Sequence, residues 1–294
     1  MGKKMLFVVC CAVLASLFSG CSDNKGAKKF TVGFDSSFPP YGYVENGQFK
    51  GFDLDLAREV AKRNAWEIVL KPINWDAKDM ELNSGSIDCI WNGFTINGRE
   101  NAYEWTEPYV DNSQVVLVKK TSGIKNLAGL KGKIVAVQTD TPVQKALSAK
   151  GAKEALGKTF KKLVVTPNYN NAVMELEAGS VDAVAMDIGV AQLKAKTSDK
   201  FMILSEVVVT EKYGIGFKKG NTALRDAVQK TLKEMVSDGT AAKISATYFN
   251  GRNVLILEGA SAKKAPPAVA VKAVAPITKA VKKAEEAAKK ASSN

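Results

Sequence analysis

The sequence of 294 residues predicts an α/β protein of two similar Rossmann-like lobes joined by two chain crossings. Three observations carry that prediction. Apolar strand-like runs alternate with amphipathic helical runs in a β-α-β-α-β order, which requires crossover connections and parallel sheets. The order occurs twice, and the junction Asn83-Ser84-Gly85-Ser86-Ile87-Asp88 recurs as Glu177-Ala178-Gly179-Ser180-Val181-Asp182. With 46% hydrophobic and 24% charged residues, the chain can bury an ordinary globular core.

In order, Phe30 to Phe34 predicts a first strand that delivers Asp35 and Phe38 into a proline-rich turn ending at Tyr41. Asn46-Gly47 centres a hairpin from Val44 to Gly51. Phe52 to Arg63 has helical apolar spacing, with Asp53 as its cap. Trp66 to Pro72 is a second strand, Asn74-Trp75-Asp76 opens a helix through Leu82, and Ile87 to Asn92 is a third strand. That strand runs into a polar loop from Asn92 to Arg99. There Gly93 permits close approach to backbone, Thr95 offers a hydroxyl, and Arg99 offers a planar fork matched to a carboxylate.

The second block opens with a long strand, Ser113 to Lys120, and a helical turn, Leu127 to Gly132. Lys133 to Val137 is a strand, and the loop from Gln138 to Pro142 caps a helix over Val143 to Lys150. Leu163 to Thr166, a helix over Asn170 to Ala178, and a strand over Val181 to Met186 ending on Asp187 complete it. Phe201 to Val209 is apolar, Tyr213 to Phe217 is a strand, Asn221 caps a helix through Val236, and Thr240 to Tyr248 is the last helix. Crossings near Tyr109 to Ser113 and near Val209 to Tyr213 divide the body into one lobe of residues 30–112 with 210–258, and another of 113–209. Two crossings make a hinge over a cleft.

The ends stand apart from this body. Met1-Gly2-Lys3-Lys4, the apolar run Met5 to Phe18, and Ser19-Gly20-Cys21 have the three regions of an export signal, and the run is too short for a membrane span. The cysteine after Ser19-Gly20 resembles the lipobox of bacterial lipoproteins, with Phe18 where Leu is usual. The resemblance implies cleavage before Cys21, a lipid on that residue, and anchorage to a bacterial membrane facing the periplasm or the cell exterior. Residues 22–29 read as a tether. Residues 259–294 are almost entirely Ala, Lys, Val and Pro without an aromatic, a composition that predicts a disordered tail. Of the net charge of +12, this tail carries +6 and the first 21 residues +2, which leaves +4 for the body. The excess charge therefore does not point to nucleic acid.

Cys10, Cys11 and Cys21 belong to the signal region, so Cys89 is alone in the body and reads as a small core residue. The chain has no histidine, which excludes histidine-based general-base catalysis and the commonest metal sites. No cofactor is called for.

Several segments together carry a family resemblance: Asp35 with Phe38-Pro39-Pro40-Tyr41, Gly51-Phe52-Asp53-Leu54-Asp55-Leu56, Gly93-Phe94-Thr95-Ile96 with Arg99, Val135-Ala136-Val137-Gln138, Asp187, and Tyr213-Gly214-Ile215-Gly216-Phe217. Over nearly all of Phe30 to Phe249 the chain resembles the bacterial extracellular solute-binding proteins that deliver polar amino acids to ABC importers. The resemblance implies a type II periplasmic-binding-protein fold that closes on a free L-amino acid, and a permease and ATPase as partners. It also implies a monomer without enzymatic activity. A buried zwitterion needs partners for both charges. Arg99, Thr95 and the Thr141 amide would take the carboxylate; Asp187 and the Gly93 carbonyl would take the ammonium. Phe38 and Trp75 would sandwich the side chain, Asp35 would contact it, and Asn92 and Gln138 are further readers. Here Arg99 comes one residue sooner than usual, Asp140 stands where glycine is common, and Pro142 has no amide to give. A periplasmic dehydratase on the same scaffold, and a surface sensing or interaction lipoprotein, are the competing readings.

Overall fold

A computed structural model describes residues 27–258. The signal region with Cys21, most of the tether and the tail lie outside the described residues.

The chain opens with β1 (Lys29–Phe34), the short β2 (Ser37–Phe38), and the hairpin β3 (Gly42–Glu45) and β4 (Gln48–Lys50). Next come α1 (Phe52–Arg63), β5 (Glu67–Pro72), α2 (Lys78–Asn83), β6 (Cys89–Thr95) and β7 (Glu104–Trp105). The long β8 (Val110–Lys119) leads into β9 (Ile134–Gln138), α3 (Pro142–Leu147), α4 (Glu154–Gly157), β10 (Lys162–Thr166), α5 (Tyr169–Ala178) and β11 (Ala183–Asp187). Then α6 (Ile188–Thr197), β12 (Phe201–Ile203), β13 (Val209–Phe217), α7 (Thr222–Ser237) and α8 (Thr240–Tyr248) close the body.

One sheet runs through both lobes in the order β10-β9-β11-β8-β13-β6-β1-β5, with β12 on β8 and β7 on β13. Its halves are built alike. In one, β5, β1 and β6 are parallel and β13 is added antiparallel; in the other, β10, β9 and β11 are parallel and β8 is added antiparallel. The halves meet where Val110 to Gln114 of β8 pairs with Val209 to Tyr213 of β13. Beyond that stretch each long strand changes partner, β8 to β11 and β13 to β6.

The repeated sequence junction is a repeated structural device. Asp88 accepts from the Thr31 amide at 2.7 Å and returns its own amide to the Thr31 carbonyl at 2.8 Å. Asp182 does the same with Ile134, at 2.8 Å both ways. Each aspartate thus ties the entrance of the third strand in its lobe to the first. The helices before them end at Gly85 and Gly179, whose φ values of +79° and +86° suit a residue without Cβ.

Both sheet faces are covered, so the parallel strands carry apolar residues at successive positions. Phe30, Val32, Leu56, Trp91, Tyr109 and Met186 belong to a core cluster that continues from one lobe into the other. Val116, Val135, Val137 and Val143 pack on the opposite face of the second lobe, and Leu82, Ile90 and Phe94 on that of the first. Cys89 is a buried free thiol in the core, as its surroundings predict.

Several local expectations are corrected. Asp53 is not a cap: Gly51 precedes α1 without a side-chain cap, and Asp53 is fully buried beneath it. Asn221 makes no side-chain cap to α7. The strand β6 extends through Thr95, so Asn92 to Thr95 are strand rather than loop. Helix α3 stops at Leu147, and α4 and α6 were not expected.

Candidate functional site

The carboxyl ends of β1, β6, β9 and β11 converge on a cavity between the lobes. All ten residues singled out in the sequence line it. Asp35, Phe38, Trp75, Asn92, Gly93, Thr95 and Arg99 come from one side, and Gln138, Thr141 and Asp187 from the other. Gln114, Asp140 and Pro142 complete the lining.

Gly93 sits at φ +57°, and a Cβ there would lie 2.7 Å from a Phe38 ring carbon and 3.1 Å from Tyr213. Its amide donates to Asp53 Oδ2 at 2.6 Å, and Tyr109 donates to Oδ1 at 2.8 Å. Asp53 therefore fixes the backbone of the site from behind. Burial pushes its carboxyl up to about 7, against the pull of those donors. Asn92 is 1% exposed, and neither its amide nitrogen nor its oxygen has a hydrogen-bond partner among the described residues. An amide so placed on a cavity wall has both a donor and an acceptor to offer.

Arg99 reaches across the cleft. Its guanidinium donates to the Asp140 carbonyl at 2.6 Å and to the Thr95 carbonyl at 3.2 Å, and it lies 3.3 Å from an Asp140 carboxylate oxygen. Lys78, only 2% exposed, pairs with the same carboxylate. Burial raises the Asp140 carboxyl, but the Arg99 and Lys78 charges outweigh it and hold the group below its ordinary range. Asp140 adopts φ +50°, the left-handed region that suits the glycine expected there and costs another residue about 1 kcal/mol.

Asp35 accepts from the Ser37 amide and from Gln138 Nε2, each at 2.8 Å, and forms no ion pair among the described residues. Burial raises its carboxyl, against those two donors. Phe38 stacks on Tyr169 across the lobes at 5.7 Å, and Trp75 meets Phe94 edge-on at 5.4 Å. Thr141 is the N-cap of α3, accepting from the Gln144 amide, while its hydroxyl donates to the Gln138 carbonyl at 2.8 Å.

Asp187 is the last residue of β11 and, at the cavity wall, accepts from Tyr169 at 2.8 Å, Asn112 at 2.7 Å, and Tyr213. Behind it stands Glu211 of β13, which sequence reading missed. Glu211 accepts from Thr95 at 2.7 Å, Asn112 at 2.6 Å and Gln114 at 2.5 Å. The Thr95 hydroxyl, expected to face a ligand carboxylate, is thus engaged by Glu211. Burial pushes the Glu211 carboxyl up to about 8, and the Asp187 charge adds to it. Asp187 is raised by the same burial, against its tyrosine donors.

A family profile described as bacterial extracellular solute-binding proteins, family 3, matches residues 30–251. The chain belongs to that family. It is 30% identical to the L-cystine-binding protein TcyJ of Escherichia coli strain K12 over 223 residues, 74% of this chain and 81% of the relative. It is also 30% identical to ABC transporter arginine-binding protein 1 of the same strain over 249 residues, 82% and 98% of the two chains. Among solved family structures, the arginine-, lysine-, histidine-binding protein ArtJ of Geobacillus stearothermophilus superposes with a TM-score of 0.68. That pair is 33% identical, over 77% of this chain and 97% of that one. The type II fold expected of the family is the fold observed.

Proposed function

We propose that the protein is the receptor of an ABC importer for a polar L-amino acid, which it captures between its lobes. The observation that carries this reading is the charge layout of the cavity. A guanidinium, Arg99, stands at one place and the buried acid Asp187 at another, both on the same lining, with a second acid, Asp35, that has no cationic partner among the described residues. An α-carboxylate at Arg99 and an α-ammonium at Asp187 leave the side chain to Asp35, Phe38, Trp75, Asn92 and Gln138. The names of the relatives, which include arginine, histidine and cystine binders, agree with a side chain that carries hydrogen-bond donors. No observation favours the dehydratase or the surface-sensing reading.

In this reading residues 30–112 with 210–258 move against 113–209 about the β8–β13 pairing, and a permease and ATPase receive the closed monomer. The run Met5 to Phe18 and Cys21 support export and a lipid anchor. Among the described residues no helix is long and apolar enough to cross a membrane.

The test is a melting screen against the twenty amino acids and cystine, followed by calorimetry on the hit. A ligand that binds only the folded state raises the melting temperature. Arg99→Ala should weaken binding by on the order of 100-fold, the loss of two charge-assisted hydrogen bonds. No shift with any amino acid, or near-wild-type affinity in R99A, would overturn the reading.

A further inference from the structure

Two carboxylates lie together at the middle of the sheet, where the lobes join. In cross-strand register, Asp187 of β11 stands opposite Gln114 of β8, and Asn112 of β8 stands opposite Glu211 of β13. The alternation of a strand puts Asn112 and Gln114 on one face, and the same Asn112 amide nitrogen lies 2.7 Å from Asp187 and 2.6 Å from Glu211. Asp187 and Glu211 are each 3% exposed.

The groups around them are Tyr169 on α5, Tyr213 on β13, Thr95 on β6 and the two amides on β8. Tyr41, packed edge-on against Tyr213 at 5.3 Å, is the other titratable group that senses both acids. No cation touches either acid among the described residues. Arg99 is committed to Asp140 and the Thr95 carbonyl, Lys145 on the adjoining α3 lies beside Gly98, and Lys212 pairs with Asp111 on exposed surface. Two negative charges so enclosed cannot both persist without a cation or a proton. A third acceptor is aimed the same way: Gln114 lines the cavity at 1% exposure, spends its amide nitrogen on Glu211, and leaves its oxygen without a donor.

Resting on the amino-acid receptor reading, we propose that Glu211 is the proton-balancing residue of the ammonium pole. It shares one proton with Asp187 while the cleft holds no ligand, and it gives that proton to solvent when an α-ammonium settles against Asp187 and the Gln114 oxygen. The exchange is charge for charge: one cation enters and one proton leaves, so the pair becomes doubly ionised only beside the ammonium. Glu211 does not line the cavity; it acts through Asp187, Thr95 and Gln114. Thr95 accommodates either state, because its hydroxyl accepts from a protonated Glu211 and donates to an ionised one. The pair titrates as a unit, and the elevated Glu211 value of about 8 places the exchange at neutral pH.

Calorimetry in buffers of different ionisation enthalpy counts the protons. L-arginine, L-lysine and L-glutamine serve as probes because their side chains do not titrate near neutrality. Wild type should release about one proton per ligand at pH 7, and its affinity should rise by up to about tenfold per pH unit below pH 8. In E211Q the release should vanish and the affinity should be flat with pH, whereas a merely structural Glu211 would lower affinity equally at every pH. If E211Q does not fold, infrared spectra of wild type labelled in the glutamate carboxyl answer the same question. An un-ionised glutamic acid C=O band should be present at pH 7 and disappear on adding the probe. Binding without proton release, release undiminished in E211Q, or absence of that band overturns the exchange alone. Should none of the three bind, the hit of the melting screen takes their place, and failure of every amino acid and of cystine to bind overturns the receptor reading and the exchange with it.

Discussion

At the scale of single residues, the site is held by side chains whose partners lie far away in sequence. Gly93 shows the consequence. It sits at φ +57° with Phe38 and Tyr213 against the place of a Cβ, and its amide is spoken for by Asp53. Gly93→Ala should therefore cost roughly 2 kcal/mol in urea denaturation, the range of overpacking and left-handed strain together, and should weaken ligand binding as Phe38 shifts. An unaltered midpoint would mean that the ring and strand yield freely. Much of the lining was legible because strand ends and their turns carry it: Asp35, Asn92 and Asp187 each close or follow an apolar run. Asp53 was misread because an acid in the first turn of a helix has a local explanation, the macrodipole, while its contact with Gly93 is 40 residues distant. Glu211 left a signal of another kind. Asn112 and Gln114 occupy alternate, buried positions of β8 just before the apolar run Val115 to Val118, and buried polar residues at a strand period require partners on the facing strands.

At the scale of elements, the two-lobe repeat carries its own lock. Asp88 and Asp182 make the same reciprocal pairing with Thr31 and Ile134. Asp88→Ala and Asp182→Ala should each destabilise by about 1 kcal/mol, the worth of a part-buried hydrogen bond, and by similar amounts, since the local geometry is shared. A large inequality in chemical denaturation would show that the repeat is one of sequence only. Helices α1 and α8 match their expected bounds because glycine or polar residues flank them and their apolar spacing is regular. Helix α6 escaped notice: Ile188-Gly189-Val190-Ala191 is a short apolar run without helical spacing, with a glycine that argues against helix. It forms because tertiary packing buries Gly189, Val190 and Ala191, with Gly189 directly against Tyr41.

At the scale of the whole molecule, the buried acids tie stability to pH. Asp53 and Glu211 titrate near 7 and 8 in the folded protein, against ordinary values of 3.8 and 4.5. Between about pH 5 and pH 8 the unfolded chain has released protons that the folded one retains, so stability falls as pH rises through this window. The ligand-free protein should melt lower at pH 8.5 than at pH 5.5 in scanning calorimetry; a rise would contradict the burial of these groups as acids. The two sides of the cavity are joined by the meeting of Lys78 and Arg99 at Asp140. On the proposed role of Arg99, Asp140 places a resident rival beside the guanidinium that a substrate carboxylate would have to win. Being tethered, it competes at a high effective concentration. A glycine there would keep the carbonyl but not the carboxylate; with both, the receptor would hold its cargo against a piece of itself, which lowers the ceiling on affinity and hastens the surrender of cargo to the importer.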